Sequence, residues 1–351
     1  MKYRPLGRTG LKVSEISLGS WTTYGGTVSE ADAARIVRRA FDLGINLFDT
    51  ADVYVRGAAE RALGAALRLL PREQVVVATK VMGRVWDGPL GAGLSRKHIF
   101  DAMDQSLRRL GVDYVDLYQA HAPDKDTPIE ETLEAFEDLV RAGKTRYVGF
   151  SNFDRDAKLL ARAVAHQKQR GWSRFVSSQP RYSLVDRHVE GRGFPGADGT
   201  VFRESHVDFC RTHGIGMIVY SPLAQGVLTN KYAGGAVPAG SRASGQFAHF
   251  LTSEKQMTPE TVAAAERFGA WVAKQGGWTN AQVALAWVLR RPQVSSVILG
   301  ASTIEQLEEN VKAAEVNLSD AEWREVEQAI AVPRARAASP PAKKRAAAKK
   351  K

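Results

Sequence analysis

Four side chains with complementary acid–base chemistry follow three consecutive β-branched stretches of this sequence. Asp49 ends the stretch 46–49, and Tyr54 lies one short turn beyond it. Lys80 ends the stretch 75–80, and His121 comes just after the stretch 115–119. If the fold brings them together, a carboxylate, a phenol, an ammonium and an imidazole suffice to transfer a proton to a carbonyl oxygen.

The reaction that fits this set begins with hydride delivered to a carbonyl carbon. The carbonyl oxygen then carries negative charge and needs a proton donor or an oxyanion-stabilising group. A phenol is a weak acid with an unperturbed pKa of about 10, but a nearby ammonium lowers that pKa. We therefore expect Lys80, held in place by Asp49, to make Tyr54 a better proton donor. His121 would donate a hydrogen bond to the same oxygen and orient the substrate.

Each of the four residues also has a purely structural explanation. Asp49 could cap a turn, and Tyr54 could be an aromatic residue at a rim. Lys80 could be a solvated strand end, and His121 a loop histidine whose hydrogen bonds are satisfied. Four suitable side chains at the ends of three successive stretches favour a shared site. Spacing alone leaves both explanations open.

The elements that must position these residues alternate between short β-branched runs and amphipathic stretches. Eight runs occur, the number that closes a parallel barrel, and the carboxyl ends of barrel strands share one mouth. The runs cover residues 16–19, 46–49, 75–80, 115–119, 146–150, 175–179, 217–220 and 296–300. The pattern predicts an α/β fold, a single (β/α)8 TIM barrel over residues 1–332.

Helical periodicity fills the intervals between the runs. Residues 33–41 carry apolar side chains at the spacing of one buried helix face, with Ser29 as the expected N-cap and Gly44 as the stop. An open doubly wound sheet is the competing architecture, but residues 18–22 lack its glycine-rich turn.

Three segments interrupt the alternation. Residues 1–13 predict an N-terminal β-hairpin, and residues 191–199 a surface loop insertion. Residues 223–257 form a long connection, which we expect to act as a lid or a cofactor clamp.

The positive charge of the chain is concentrated at its end. The formal net charge of the 351 residues is +11, which could indicate a nucleic-acid partner. Eight Lys and Arg residues and no acid occur in residues 333–351, so 11 − 8 leaves +3 for residues 1–332. We expect this basic tail to be disordered, and any nucleic-acid contact to be made through it. The alternative is a solubilising extension.

Cysteine usage and hydropathy bear on location. The lone Cys210 cannot form an internal disulfide and fits a reducing compartment. No apolar stretch approaches the roughly 20 residues of a membrane helix, and residues 1–7 lack the apolar run of a secretory signal. A cytoplasmic protein without membrane contact is therefore expected. The seven histidines show no metal-ligand spacing, so no metal site is expected.

Two motifs resemble the aldo-keto reductase family. Residues 44–54, Gly-Ile-Asn-Leu-Phe-Asp-Thr-Ala-Asp-Val-Tyr, resemble its G-x-N-x-F-D-T-A-x-x-Y signature, and residues 111–121 resemble its histidine-bearing strand. The resemblance covers residues 1 to about 330, closest to the branch of potassium-channel beta subunits and related bacterial reductases. It implies an NADPH-dependent oxidoreductase that reduces aldehydes or ketones to alcohols. The catalytic residues that it implies are Asp49, Lys80, His121 and, as general acid, Tyr54.

The same resemblance implies where NADPH or NADP+ binds. The contacts implied around the nicotinamide are Ser20, Trp21, Asp49, Ser151, Asn152, Gln179 and Tyr220, whose ring would stack on it. Those implied for the phosphates are Ser221, Pro222, Leu223, Gln225, Gly226, Lys231, Ser241 and Arg242. Those implied for the adenosine end, where a helix N-terminus favours an anion, are Gly300, Ser302, Gln306, Glu309 and Asn310. Cations at the ribose favour NADPH over NADH.

One departure from the family bears on function. Channel beta subunits of animals carry asparagine at the position of His121, so the histidine favours a working reductase. The alternative is a redox-sensing, NADPH-binding regulatory subunit of an ion channel or another partner, with weak turnover. Relatives of this branch often assemble as rings, which makes a homo-oligomer consistent with the resemblance. The particular carbonyl depends on loops 22–28, 82–94 and 223–257, whose shape the sequence does not specify.

Overall fold

A closed barrel of eight parallel strands forms the centre of the molecule. The computed structural model describes residues 1–191, 194–195, 201–202, 204–253 and 256–331. Its strands are β1 (Tyr3–Pro5), β2 (Lys12–Ser14), β3 (Ile16–Gly19), β4 (Leu47–Asp49), β5 (Val76–Val81), β6 (Val115–Ala120), β7 (Thr145–Ser151), β8 (Phe175–Gln179), β9 (Phe194–Pro195), β10 (Val201–Phe202), β11 (Gly216–Val219) and β12 (Val294–Leu299). Strands β3 to β8, β11 and β12 close the barrel, with β8 paired to β11. The predicted TIM barrel is confirmed.

Alternation along the strands decides which side chains enter the barrel. Leu47 and Ala78 belong to an apolar cluster of inward-facing strand residues, whereas Phe48 and Val77 pack in the separate core under the helices. Successive strand residues point to opposite faces, so Asp49 and Lys80 follow Leu47 and Ala78 into the interior. Both polar groups therefore lie at the carboxyl-terminal end of the barrel, above its apolar filling.

The predicted N-terminal hairpin covers the opposite end of the barrel. Strands β1 and β2 pair antiparallel, with Tyr3 opposite Ser14. Leu6 and Val13 are fully buried in the same cluster as the inward-facing strand residues. Gly7 has φ +58°, and a Cβ there would lie 2.4 Å from the carbonyl oxygen of Gly214, so the tight approach requires glycine.

Helices surround the barrel; most bury one face, whereas the helix Asn280–Leu289 is buried on every face from Ala281 onward. They are α1 (Glu30–Asp42), α2 (Ala58–Leu67), α3 (Arg96–Leu110), α4 (Ile129–Arg141), α5 (Ala157–Arg170), α6 (His206–His213), α7 (His249–Ser253), α8 (Pro259–Gln275), α9 (Asn280–Leu289), α10 (Ile304–Val311) and α11 (Asp320–Ile330). In α1, the Ser29 hydroxyl accepts a hydrogen bond from the Asp32 amide, and Gly44 follows the last turn with φ +89°. Both predicted helix ends are confirmed.

The connection over residues 223–257 consists of short turns. It contains 3-10 turns at Ala224–Thr229, Ala233–Gly235 and Arg242–Ser244, followed by the five-residue helix α7. Gly226 has φ +97°, and a Cβ there would lie 2.5 Å from Lys231 Cε. Glycine therefore allows the lysine to cross the turn at close range.

Two predicted segments fall largely outside the described residues. Of the insertion at 191–199, the structure describes Gly191 and β9. Strand β9 pairs antiparallel with β10, which follows the insertion. The basic tail, residues 333–351, is also outside the described range. Among the helices that are described, none is both long and apolar enough to cross a membrane.

Candidate active site

A cavity of about 1560 Å³ opens at the carboxyl-terminal end of the barrel. Because all eight strands are parallel, the residues that end them meet at this mouth. Asp49, His121, Ser151 and Gln179 line the cavity, and each ends or directly follows a different strand. The predicted convergence of strand ends is therefore present.

Lys80 lies at the bottom of this mouth and is fully buried. Its ammonium is 2.6 Å from Asp49 Oδ1, 2.7 Å from the Thr50 carbonyl oxygen and 3.3 Å from Tyr54 Oη. An ammonium has three protons, so these three acceptors use all of them. Burial lowers the pKa of Lys80, and the charge and hydrogen bond of Asp49 counteract that effect.

Asp49 is held from two sides. Its Oδ1 accepts a hydrogen bond from the Lys80 ammonium, and its Oδ2 accepts one of 2.9 Å from Gln179 Nε2. Both carboxylate oxygens are therefore paired in a buried setting, where an unpaired charge would cost several kcal/mol. The expectation that Asp49 holds Lys80 in place agrees with this geometry.

An unusual turn places Tyr54 over the lysine. After Tyr54, three residues in succession have positive φ: Val55 (+47°), Arg56 (+52°) and Gly57 (+81°). A β-branched residue such as Val55 rarely adopts this conformation. The left-handed turn reverses the chain directly into α2, so that the phenol oxygen faces the Lys80 ammonium. An ammonium at this distance would stabilise a phenolate at Tyr54.

His121 completes the predicted catalytic group. Its ring centroid is 5.5 Å from that of Tyr54, in an edge-on arrangement at 73°. Its backbone amide donates to the Val81 carbonyl oxygen at 2.9 Å, which ties it to the end of β5. Burial lowers the pKa of His121 to about 3, and the charge of Lys80 adds to the effect. The imidazole is therefore neutral at physiological pH, with one N–H available as a donor.

A set of hydrogen-bonded side chains lies beside the predicted catalytic group. Asn152, in the left-handed conformation at φ +61°, donates through Nδ2 to the His121 carbonyl oxygen at 2.9 Å and to Ser151 Oγ at 3.0 Å. The Tyr220 hydroxyl donates to Asn152 Oδ1 at 2.9 Å. Ser151 Oγ donates to the Gln179 carbonyl oxygen at 2.8 Å. Four residues assigned by resemblance to the cofactor are thus joined to one another.

Two cations meet farther along the cavity. Lys231 and Arg242 are the basic residues among the side chains that line it, all of which are described. Burial lowers the pKa of Lys231, and the positive charge of Arg242 lowers it further. The guanidinium of Arg242 stacks over the Trp21 ring at 4.6 Å, and Phe250 packs edge-on against the same ring at 4.9 Å. An anion between these cations would relieve their mutual repulsion.

Another part of the cavity is formed by α10 and the residues just before it. Ser302, Gln306, Glu309 and Asn310 line it, and Gln306 Oε1 accepts hydrogen bonds from both the amide and the hydroxyl of Ser302. These polar groups are in the part of the cavity implied for adenosine.

The cavity contains nearly all the residues implied by the resemblance. Ser20 is the exception among the implied cofactor contacts, because it does not line the cavity. Its hydroxyl donates to Thr50 Oγ1 at 2.8 Å. Lys80 also lies behind the surface and reaches the cavity through Tyr54. The other implied cofactor contacts and the other catalytic residues line the cavity directly.

Several lining residues were not identified from the sequence. Phe247 and Phe250 belong to the long connection 223–257, whose length was the signal that could have identified them. Asp32 and Ser29 enter from the start of α1, where nothing beyond the helix-capping pattern indicated a cavity. Thr22 and Thr27 belong to loop 22–28, which the sequence analysis named as one that shapes the substrate site without naming these two residues.

Comparison with known proteins agrees with this geometry. The family model described as the aldo/keto reductase family matches residues 15–331. An L-glyceraldehyde 3-phosphate reductase of Escherichia coli is 36% identical over 340 residues, covering 94% of this chain and 93% of the relative. A probable voltage-gated potassium channel subunit beta of Oryza sativa subsp. japonica is 38% identical over 321 residues, covering 90% and 92%. A putative subunit of the same kind from Schizosaccharomyces pombe is 39% identical over 317 residues, covering 89% and 88%. The chain therefore belongs to the aldo/keto reductase family, whose members generally carry out NADPH-dependent carbonyl reduction.

Proposed function

We propose that this chain reduces aldehydes or ketones to alcohols with NADPH and that Tyr54 is the proton donor. The observation that carries the proposal is the Lys80 ammonium, fully buried and held by Asp49 at 2.6 Å, at 3.3 Å from Tyr54 Oη. A structural lysine would not need to be buried against a phenol that lines a large cavity. A phenolic proton donor is made more acidic by a neighbouring cation, because its conjugate base carries a negative charge.

The cavity fits the dinucleotide. Besides its size and its paired cations, it presents polar atoms that lack protein partners: Ser241 Oγ and Asn230 Oδ1 are buried without a hydrogen-bond partner among the described residues. Buried polar atoms of this kind are usually satisfied by ligand or water. Lys231 and Arg242 would hold phosphate groups, and Gln179, Ser151 and Asn152 would hold the amide of the nicotinamide. NADPH bound there supplies the hydride.

The residues of the chain bind the carbonyl oxygen of the substrate and supply the proton. Neutral His121 donates one hydrogen bond to the carbonyl oxygen and orients it towards Tyr54. The carbonyl carbon accepts the hydride, and the oxygen accepts the Tyr54 proton, which yields the alcohol. Lys80 stabilises the phenolate left behind, and a proton from solvent restores the phenol. Asp49 keeps the ammonium in place throughout.

The rival function is that of a regulatory subunit that binds NADPH and turns over slowly. Two of the relatives named above are channel beta subunits, and this similarity is the observation that supports the alternative. The neutral imidazole of His121 beside Tyr54 favours catalysis, because it supplies the second hydrogen-bond donor that the reaction needs. Rapid turnover would decide in favour of the enzyme.

The test is steady-state NADPH oxidation with a panel of aldehydes and ketones, compared with NADH. The panel includes L-glyceraldehyde 3-phosphate, because the relative from Escherichia coli is named for it. We expect turnover to fall by about 10²- to 10⁴-fold in Tyr54→Phe, the usual contribution of a general acid. The dissociation constant of NADPH, measured by fluorescence titration, should stay within about twofold, since only a hydroxyl is removed. Tight NADPH binding with negligible wild-type turnover on every carbonyl would favour the regulatory subunit.

A further inference from the structure

The hydroxyl of Tyr220 forms a contact that the ring alone would not need. It donates to Asn152 Oδ1 at 2.9 Å and so links the end of β11 to the end of β7. An aromatic ring that serves only as a flat surface gains nothing from a polar group directed at a neighbouring side chain. The hydroxyl therefore calls for a separate explanation.

The Asn152 amide is held at both ends by hydrogen bonds, and this contact is the one at its oxygen. Its oxygen accepts from Tyr220, while its nitrogen donates to the His121 carbonyl oxygen at 2.9 Å and to Ser151 Oγ at 3.0 Å. An amide flipped by 180° would direct its NH2 group at the Tyr220 hydroxyl and its oxygen at the His121 carbonyl oxygen, an acceptor facing an acceptor. The His121 carbonyl oxygen, which can only accept, therefore sets the orientation of the amide, and the Tyr220 hydroxyl holds the amide in place through Asn152 Oδ1.

The hydrogen bonds continue to the catalytic carboxylate. Ser151 Oγ donates to the Gln179 carbonyl oxygen at 2.8 Å, and Gln179 Nε2 donates to Asp49 Oδ2 at 2.9 Å. One connected set of hydrogen bonds therefore runs from Tyr220 to both His121 and Asp49. Loss of its first member would loosen the two groups that orient the substrate and the lysine.

We propose that Tyr220 and Asn152 form a positioning pair, in which the tyrosine hydroxyl fixes the asparagine amide that supports His121. The inference rests on the proposed function and adds to it that alignment of hydride donor and proton donor depends on this hydroxyl. Neither residue transfers a proton; in addition to the nicotinamide contacts proposed above, both act through His121 and, more remotely, through Asp49. Phenylalanine at position 220 would keep the aromatic surface and lose the alignment.

Tyr220→Phe tests the proposal, with Tyr3→Phe as its matched control. The control also removes a tyrosine hydroxyl that donates to an oxygen at 2.9 Å, the Gly44 carbonyl, but at an exposed position outside the cavity. We expect Tyr220→Phe to lower kcat about tenfold, the effect of one hydrogen bond, with the NADPH dissociation constant within about twofold. The primary isotope effect on kcat with NADPH deuterated at the transferred position should increase, because a misaligned hydride transfer becomes more rate-limiting. Tyr3→Phe should change none of these quantities.

A double-mutant cycle with Asn152→Gly separates positioning from general damage. Glycine accepts the left-handed backbone at position 152 without strain, so the variant removes the amide alone. If the hydroxyl acts through Asn152, Tyr220→Phe should have almost no further effect on kcat in the Asn152→Gly background. Additive effects of the two substitutions would overturn the proposal.

The emission spectrum of bound NADPH gives a readout that does not depend on turnover. We expect Tyr220→Phe and Asn152→Gly to change it alike, and Tyr3→Phe to leave it as in the wild type. A wild-type protein that reduces no carbonyl would refute the proposed function, while the emission comparison would still test the pair. Unchanged emission together with unchanged kcat in Tyr220→Phe would refute the pair and leave the proposed function standing.

Discussion

Replacement of Lys80 by methionine removes the charge beside Tyr54 and keeps most of the volume of the side chain. Opposite unit charges 3.3 Å apart, as for Lys80 Nζ and a Tyr54 phenolate oxygen, attract by about 5 kcal/mol at an effective dielectric constant of about 20, from 332/(20 × 3.3). Asp49, at 2.6 Å from the ammonium, offsets part of this attraction. With about 3–4 kcal/mol remaining, we expect kcat to fall about 10²- to 10³-fold.

The single substitution would also leave Asp49 buried without its counter-charge. Removing one member of a buried ion pair typically costs about 3–5 kcal/mol of stability, so Lys80→Met alone could lose activity through unfolding. The double variant Asp49→Asn/Lys80→Met removes both charges and avoids that penalty. Thermal denaturation and NADPH fluorescence titration establish that it is folded and binds the cofactor before kcat is measured.

Lys231→Met is the matched control, because it makes the same substitution at a cationic residue that lines the cavity. It should raise the dissociation constant of NADPH and have a much smaller effect on kcat at saturating cofactor. A folded double variant that binds NADPH and keeps kcat within about threefold of the wild type would refute the electrostatic role of Lys80.

Two further predictions concern stability. Arg56→Gly should raise the free energy of unfolding by roughly 0.5–1 kcal/mol, because the arginine is held at φ +52°. Its control, Arg61→Gly inside α2, should lower the free energy of unfolding by about 1 kcal/mol. Urea denaturation measures both, and equal effects would contradict the strain argument. His188 lies 2.7 Å from Asp154 Oδ2 and 2.6 Å from Asp186 Oδ1; burial lowers the pKa of His188, but the two carboxylates outweigh burial and raise it to about 9. Its stabilisation is therefore complete below the ordinary value of about 6.5 and is lost as pH rises through 9, a change of about 2–3 kcal/mol after allowance for partial exposure. Denaturation at pH 6 to 10 should show a smaller decline in His188→Gln than in the wild type, and parallel declines would contradict the assignment.

The barrel was predictable because its pattern is regular. Each β-branched run had to be buried on both faces, and eight such runs left closure as the natural arrangement. The position of Lys80 at the mouth was predictable for the same reason, since it ends a buried run that otherwise consists of Val, Ala and Thr. The expected partners, Asp49 and Tyr54, are the ones that it contacts.

The remaining details of the site depend on contacts between distant segments. The contact between Phe250 and Trp21 joins residues more than two hundred positions apart, and no local pattern specifies it. The hydrogen bond from Tyr220 to Asn152 also joins two segments that are distant in the sequence, 68 positions apart. Ser20 differs from its neighbour Trp21: Trp21 lines the cavity, whereas the Ser20 hydroxyl donates to Thr50 Oγ1, and no local pattern specifies this difference.

Charge balance behind the cavity explains why the lysine can act on the phenol. Glu60 is fully buried, but it pairs with Arg109 at 2.6 Å and accepts a hydrogen bond from Thr79, the residue before Lys80. Asp52 is also fully buried, and neither of its carboxyl oxygens has a hydrogen-bond partner among the described residues. Burial, aided by the charge of Glu60, raises the pKa of Asp52 well above its usual range, which favours the neutral form of this carboxyl.

It follows that the buried charges around Lys80 cancel in pairs, with Lys80 against Asp49 and Arg109 against Glu60. An ionised Asp52 would add a second negative charge near the lysine and oppose formation of the phenolate. With Asp52 in its favoured neutral form, a negative charge on the Tyr54 oxygen would have no counter-charge of its own among these groups. The Lys80 ammonium is in contact with that oxygen, and its electrostatic stabilisation would therefore be available to the proposed reaction.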